Sequence, residues 1–201
     1  MKLRYRLLLI RHGQAHSNQR GALLGRQDDP LTQLGQEQIL SLREKIKEEK
    51  PAAIWSSPLQ RAHQTAKMLG ETFGLEPKIV PNLMEQDYGQ WDGVHFKEAS
   101  TRFPQDFKAW MSGDITIGPT SGETIQQVSE RVMACFRELD KQAIEGETYI
   151  WVGHAGAFAT LLCGLLKTPL CNQWPYMLQA GSLTEIQILD FGPRLTRMSW
   201  C

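Results

Sequence analysis

The chain has no excess of either charge: 22 Lys and Arg stand against 22 Asp and Glu, a formal net charge of zero over 201 residues. That balance excludes the global field with which proteins gather nucleic acid or acidic membrane, so neither partner is expected. Any cationic site must be local and offset elsewhere. Cysteine is scarce, and the four present (Cys135, Cys163, Cys171 and Cys201) form no C-x-x-C pair and no dense framework. Free thiols in a reducing cytoplasm are the expectation. Long apolar runs are missing too. Residues 154–166 form the most apolar segment, but they contain Gly and Cys and fall short of a membrane span. Leu7–Ile10, behind the basic stretch Met1–Arg6, mimics the start of a signal peptide, yet the run is too short and Arg11 stops it with no small-residue cleavage site. With no internal repeat, low-complexity tract or interdomain linker, residues 1–201 are expected to form one domain with a well-buried core.

What is present is an alternation of strands and helices. A strand covers about residues 5–11, and a loop rich in Gly, Asn, Asp and Pro runs to Pro30. Thr32 is placed to cap a helix whose stripe is Leu34, Ile39, Leu42 and Ile46, ending by Pro51. Ala53–Ser56 reads as a buried strand. Ser57 and Pro58 read as a cap with proline at the first helical position, opening a helix that ends near Gly74. Lys78–Val80 is a short strand, and residues 82–121, with Gly89, Gly93, Pro104, Gly113, Gly118 and Pro119, are less regular. Thr120–Glu123 resembles a capping box for a helix carrying Val128, Val132, Cys135, Phe136 and Leu139. Thr148–Val152 is a third buried strand and 155–167 an apolar helix. Leu183–Leu189 alternates as an edge or half-exposed strand does, and Arg194–Trp200 is a final strand. The class implied is α/β: a three-layer α/β/α sandwich on a mostly parallel sheet, with 82–121 as an excursion over its cleft.

Three of these strands end alike. Leu7–Ile10 runs into Arg11-His12-Gly13, Ala53–Trp55 into Ser56-Ser57-Pro58 with Arg61 one turn on, and Tyr149–Val152 into Gly153-His154-Ala155-Gly156. Ligands of open parallel sheets bind at the carboxyl edge, so two arginines and two histidines are expected to meet in one cleft. Such a set suits a phosphate dianion. Gly13 allows close backbone approach, and the Asn18 amide in the next loop can donate to an anion. Arg61 sits against the helix dipole, but helical side chains lean toward the N-terminus, which returns it to the strand ends near the Ser57 hydroxyl. Gly153 and Gly156 clear space around His154, and the amides of the following helix add positive potential. Glu85 lies in a loop block, Leu83–Gly93, and a phosphoryl-transfer site needs a carboxyl group to protonate the leaving oxygen. Singly, these residues read as an exposed basic pair, a solvent-facing arginine, a core histidine and a solvated loop acid. The shared position of the arginines and histidines at strand ends argues for the site.

In this order and spacing the blocks resemble the histidine phosphatase superfamily, which also contains the cofactor-dependent phosphoglycerate mutases. The matching pieces are Arg11-His12-Gly13 with Asn18, Ser56–Ala66, Leu83-x-Glu85 with Gly89 and Gly93, Ser121-Gly122-Glu123, and Val152–Gly156. The match extends from residue 7 to about 190. The resemblance implies a phosphoglycerate mutase-like fold, with His12 as phosphoryl acceptor and Glu85 as general acid. Arg11, Arg61 and His154 would bind the phosphoryl group, with Asn18, Ser57 and Glu123 as secondary site residues. Ala155 stands where many relatives have glycine, which is harmless if only its backbone N–H is used. No metal and no cofactor are implied.

Between the two activities of that superfamily, the stretch from Gly93 to Ser121 is shorter than the insertion that mutases carry there, which suggests an open site and hydrolysis. The partner implied is a small phosphomonoester, and chain length with the Thr184-bearing tail is similar to α-ribazole-phosphatase types, so α-ribazole 5'-phosphate is the named substrate. Trp91, Phe107 and Trp110 are available either to stack on a base or to pack. Three rivals remain. One is a phosphoglycerate mutase. Another is a metal hydrolase using His12, His16 and His63, which Gly13 in a post-strand loop argues against. The third is a non-catalytic phospholigand-binding protein, which would be expected to lack the nucleophile or acid.

Overall fold

Leu7, Leu8, Leu9 and Ile10 are each at most 1% exposed, the mark of a strand covered on both faces. They lie in β1 (Leu3–Arg11), and the other strands are β2 (Pro51–Ser56), β3 (Lys78–Ile79), β4 (Thr148–Gly153), β5 (Leu183–Leu189) and β6 (Gly192–Trp200). The computed structural model describes residues 2–201, so Met1, the first residue of the basic stretch before Leu7, lies outside the described residues. The six strands form one sheet in the order β3-β2-β4-β1-β5-β6. The first four run parallel, and β5 is antiparallel to both its neighbours.

The helices are α1 (His16–Gln19), α2 (Gln33–Ile46), α3 (Gln60–Phe73), α4 (Phe96–Arg102), α5 (Pro104–Trp110), α6 (Ile125–Gln142) and α7 (Ala155–Leu166). Alternate residues of β1 face opposite ways, and the two faces collect separate cores. Leu8 and Ile10 join Ile39, Leu42 and Ile46 of α2 and Ala62, Ala66 and Leu69 of α3. Leu7 and Leu9 join Val128, Val132 and Leu139 of α6 and Phe158, Leu161 and Leu162 of α7. The result is the expected α/β/α sandwich, with its core divided by the sheet rather than held on one side.

Three local expectations are corrected. β5 is an interior strand, not an edge. Its polar positions Thr184 and Glu185 are buried, because Glu185 accepts from Arg6 Nε at 3.0 Å and lies 3.5 Å from Arg197 Nε. A paired carboxylate can occupy a buried face that an unpaired one cannot. Ser57 and Pro58 precede α3 without capping it: the N-cap is Leu59, and the Ser57 hydroxyl accepts the Leu59 N–H, at 3.3 Å, in a turn ahead of the helix. The capping box of α6 is formed by Thr124 and Gln127, not by Thr120–Glu123. Its Glu123 side chain is engaged elsewhere, as described below. Of the two roles open to Trp91, Phe107 and Trp110, the rings take packing. Trp91 has no exposed surface and stacks on Phe103 at 5.7 Å between ring centres, while Trp110 meets it edge-on, also at 5.7 Å. These rings make a third, small core inside residues 82–121 with Ala99.

Candidate active site

Register places the site. In the row across β2, β4 and β1, Ser56 and Ile10 both pair with Val152, and Arg11 pairs with Gly153. The next residues on the three strands are therefore neighbours: Ser57, His154 and His12. Backbone bonds continue the sheet for one step past its end, from His12 N–H to Gly153 O at 3.0 Å and from Ser57 N–H to Val152 O at 3.0 Å. The His12 and His154 rings stand 5.1 Å apart, tilted by 59°. The loop after His12 is drawn tightly against α2, since a Cβ on Gly13 would collide with the Gly35 carbonyl.

His12 is 3% exposed. Its Nδ1 lies 2.7 Å from the Gly13 carbonyl, which can only accept, so Nδ1 carries the proton and the Nε2 lone pair is free. Burial, then the charges of Arg11 and Arg61, hold its pKa well below the ordinary histidine value. His154 has no exposed surface, and burial followed by the charge of Arg61 lowers its pKa in the same way. Its Nε2 meets Ser57 Oγ at 2.8 Å, so the serine acts on the second imidazole. His154 Nδ1 is buried without a protein partner.

Arg61, in the first turn of α3, has no exposed surface. Its Nη1 donates to Gln27 O at 2.9 Å and its Nη2 to Gly25 O at 2.7 Å. That carbonyl cradle is shaped from behind by Asp92, whose carboxylate accepts the N–H groups of Gly25, Arg26 and Gln27 at 2.7–2.8 Å. Arg11 donates through Nη1 to Leu178 O. The Nε atoms of both Arg11 and Arg61 are buried with no protein acceptor. Buried donors left over in this number mark a place where a ligand supplies the acceptors. Burial disfavours both guanidinium charges and the Glu85 charge supports them, the net direction being downward from the usual arginine value.

Glu85 is 7% exposed. Its carboxylate accepts from Gly156 N at 3.0 Å, Ala157 N at 3.0 Å and its neighbour Gln86 N at 2.9 Å. The N-terminal amides of α7 are thus largely taken by this acid rather than left open for an anion, which corrects the expectation for that helix. The contact requires glycine at 156, where a Cβ would lie 2.6 Å from Glu85 Oε1. The Ala155 N–H has no acceptor among the described residues, so the departure from glycine leaves that amide available. Asn18 accepts the Ala15 N–H through Oδ1 at 3.1 Å, which orients its amide group, and it is half-buried.

Glu123 is the correction among the site residues. Its carboxylate is bound by Arg131 Nε at 2.9 Å, Arg26 Nη2 at 3.0 Å and Asp87 N at 2.9 Å. It therefore holds protein rather than facing a ligand, as the chemistry requires of an acid beside an anion. Asp92 and Arg131 were not singled out in the sequence. Asp92 stands in a block already noted, where its charge reads as solvated. Arg131 falls between Val128 and Cys135 on the buried stripe of α6, and a cation on an apolar stripe is the signal that marks it. His16 is exposed at the start of α1, and no group of three or more His, Cys, Asp or Glu side chains is arranged to hold a metal ion among the described residues.

The pKa directions carry a stability consequence. Both histidines are neutral in the native state, with pKa values well below the ordinary 6.5. Their contribution is complete above that value and is lost as the pH falls from it toward the native pKa, because only the unfolded chain takes up the protons there. Between pH 7.5 and 5.5, unfolding free energy is expected to fall, with each histidine adding a slope of up to about 1.4 kcal/mol per pH unit. Denaturant titrations of the wild type and of His154→Gln check this: the variant should show a shallower decline, and identical slopes would contradict the neutral assignment.

Two imidazoles, two guanidinium groups and a carboxylate around one point at the carboxyl edge of an α/β sheet define a site for group transfer of an oxyanion. The sequence profile of the histidine phosphatase superfamily (branch 1) matches residues 7–200, and the chain belongs to that superfamily. It is 28% identical over 183 residues to phosphoserine phosphatase 1 of Hydrogenobacter thermophilus, covering 91% of this chain and 86% of that one. To the adenosylcobalamin/alpha-ribazole phosphatase of Salmonella typhimurium it is 28% identical over 185 residues, covering 92% and 91%. Among solved structures, mycobacterial glucosyl-3-phosphoglycerate phosphatase complexed with VO3 superposes with a TM-score of 0.87 at 29% identity, covering 98% of this chain and 99% of that one. Phosphatase activity is common to these names, and this chain is an enzyme of that kind. Among the described residues, no helix is long and apolar enough to cross a membrane.

Proposed function

We propose that the chain is a phosphomonoester hydrolase acting through a phosphohistidine at His12 on a small phosphorylated metabolite. The observation that carries this reading is the His12 ring: neutral, its proton fixed on Nδ1 by the Gly13 carbonyl 2.7 Å away, with Nε2 unengaged. Nε2 attacks phosphorus in line, the N–P bond forms, and the P–O bond to the leaving group breaks. Glu85, having taken up the proton that the monoanionic phosphoester brings in, passes it to the departing oxygen. Water then attacks the phosphoenzyme and returns a proton to Glu85, and the N–P electrons go back to Nε2 as inorganic phosphate leaves. Arg11, Arg61 and His154 stabilise charge on the transferring oxygens, the Asn18 amide and the Ala155 N–H line the site, and Ser57 orients His154.

Residues 1–201 act as one domain, with residues 82–121 as its cap. The short cap favours hydrolysis over mutase chemistry: α4 and α5 have seven residues each, little to seal a phosphoenzyme from water. The aromatic rings there pack on one another, so α-ribazole 5'-phosphate as substrate rests on the Salmonella relative rather than on base stacking. The test is a phosphomonoester panel with chelator present, setting α-ribazole 5'-phosphate beside O-phosphoserine, glucosyl-3-phosphoglycerate and 3-phosphoglycerate. Hydrolysis with an acid-labile, base-stable protein phosphate is expected. Isomerisation of 3-phosphoglycerate without phosphate release would favour the mutase, and an acid-stable adduct would overturn the phosphohistidine.

A further inference from the structure

The Glu85 segment has almost no regular structure to hold it. A 3-10 turn covers Pro81–Leu83, and the chain then runs without regular structure through the acid. Its carbonyls need donors, and one side chain supplies three of them. Arg131, in α6, donates from Nη1 to Asn82 O at 2.8 Å and to Met84 O at 2.7 Å, and from Nη2 to Glu85 O at 3.0 Å. Its remaining N–H groups go to Glu123, Nε to Oε1 and Nη2 to Oε2, both at 2.9 Å. This is a two-pronged pair of the kind that fixes direction as well as distance.

Glu123 closes the grip from the other side. The same Oε2 accepts the Asp87 N–H at 2.9 Å, and the Glu123 carbonyl accepts from Gln86 Nε2 at 2.7 Å. Backbone groups on both sides of Glu85 are thus tied to one guanidinium–carboxylate unit that belongs to α6 and its approach. The Glu85 carboxylate meets α7 on its opposite side, through Gly156 and Ala157. The acid is suspended between two helices: its backbone hangs from α6 and its carboxylate rests on α7.

We propose that Arg131, paired with Glu123, is the positioning residue for the general acid: it sets where the Glu85 carboxyl sits relative to the leaving oxygen while touching neither substrate nor phosphorus. This rests on the reading of Glu85 as the acid. Losing the unit leaves three carbonyls without their donor and lets the segment shift, and displacements of about 1 Å in a reacting group cost roughly 100-fold in rate.

The test separates misplacement of an acid from general damage to the fold. A poor leaving group needs its proton as the P–O bond breaks, whereas a strongly acidic phenol departs without one. The full-length protein is assayed on β-glycerophosphate and on 2,4-dinitrophenyl phosphate. Arg131→Gln is expected to lower kcat/KM, which reports phosphoryl transfer to His12, roughly 10–100-fold more on β-glycerophosphate than on 2,4-dinitrophenyl phosphate. Arg131→Lys is expected to recover only part of the loss, since a single ammonium cannot span a carboxylate and three carbonyls. Glu85→Gln serves as the reference and is expected to show the same pattern more strongly. Equal losses on both substrates in Arg131→Gln, with the pattern intact in Glu85→Gln, would overturn the positioning role alone. No leaving-group dependence in Glu85→Gln would overturn the acid assignment and this inference with it. If Arg131→Gln does not fold, Glu123→Gln, nearly the same size, carries the same expectation and the same refutation.

Discussion

Replacing His12 with alanine is expected to eliminate turnover, by at least about 10⁴-fold, and to eliminate protein labelling by a phosphodonor. The size follows from what no neighbour can replace. His154, the other imidazole of the site, has its Nε2 engaged by Ser57 at 2.8 Å. Its Nδ1 is buried, and it occupies the N-cap of α7, where its backbone is fixed. Water attacking phosphorus directly would still feel Arg11 and Arg61, so some residual hydrolysis is consistent with the mechanism. Retention of the label is not. Removing a buried ring whose protonation the native state disfavours should also leave the protein folded at neutral pH, so the comparison can be made on equal protein. Wild-type-like rates in a folded His12→Ala protein would end the assignment of the nucleophile.

Glu85→Gln is expected to lower kcat by about 10²–10⁴-fold on alkyl phosphates. Glutamine keeps an oxygen for one of the α7 amides but cannot release a proton to the leaving group or accept one from water. It also places an NH₂ group against N–H donors, since the present carboxylate accepts from Gly156, Ala157 and Gln86 with its two oxygens. Comparing kcat/KM, which reports phosphoryl transfer to His12, on an alkyl and an acidic aryl phosphate distinguishes these effects. Loss of the proton donor falls on the alkyl substrate. A disturbance of the α7 contact alone lowers both. Because the second half-reaction needs the carboxylate as base, rapid-quench experiments should also find phosphoenzyme accumulating on the aryl substrate.

The framework was legible because it is written in local chemistry. Apolar runs broken by Arg11, Ser56 and Gly153 mark strand ends, and parallel topology brings strand ends together whatever their separation along the chain. Periodicity found most of the buried stripes of α2 and α6, although Leu34, counted in the first, is 50% exposed. It failed at β5, where alternation suggests one wet face: Glu185 looks solvated until Arg6 and Arg197 are seen beside it, and those partners come from other strands.

The supporting residues were illegible for a related reason. Asp92 and Arg131 act on backbone amides and carbonyls, which every residue possesses, so nothing in the sequence of 25–27 or 82–85 advertises its partner. Glu123 was assigned to the substrate by resemblance, although a carboxylate next to a phosphate dianion is electrostatically out of place. Charge alone pointed toward an arginine, and the structure supplies two. Ser57 was placed in the right neighbourhood with the wrong duty, because a serine before proline is an ordinary helix cap and only the folded sheet sets it against His154.

The seclusion of the cationic ring has one more consequence. Arg61 and His154 have no exposed surface, and α7 directs its amides to the acid. With substrate bound, such groups lie against the phosphorus with little room for mobile ions between them, so screening that weakens surface charges acts on them much less. The potential felt by the reacting phosphate is therefore a property of the polypeptide, and ionic strength acts on the approach of the substrate far more than on its conversion.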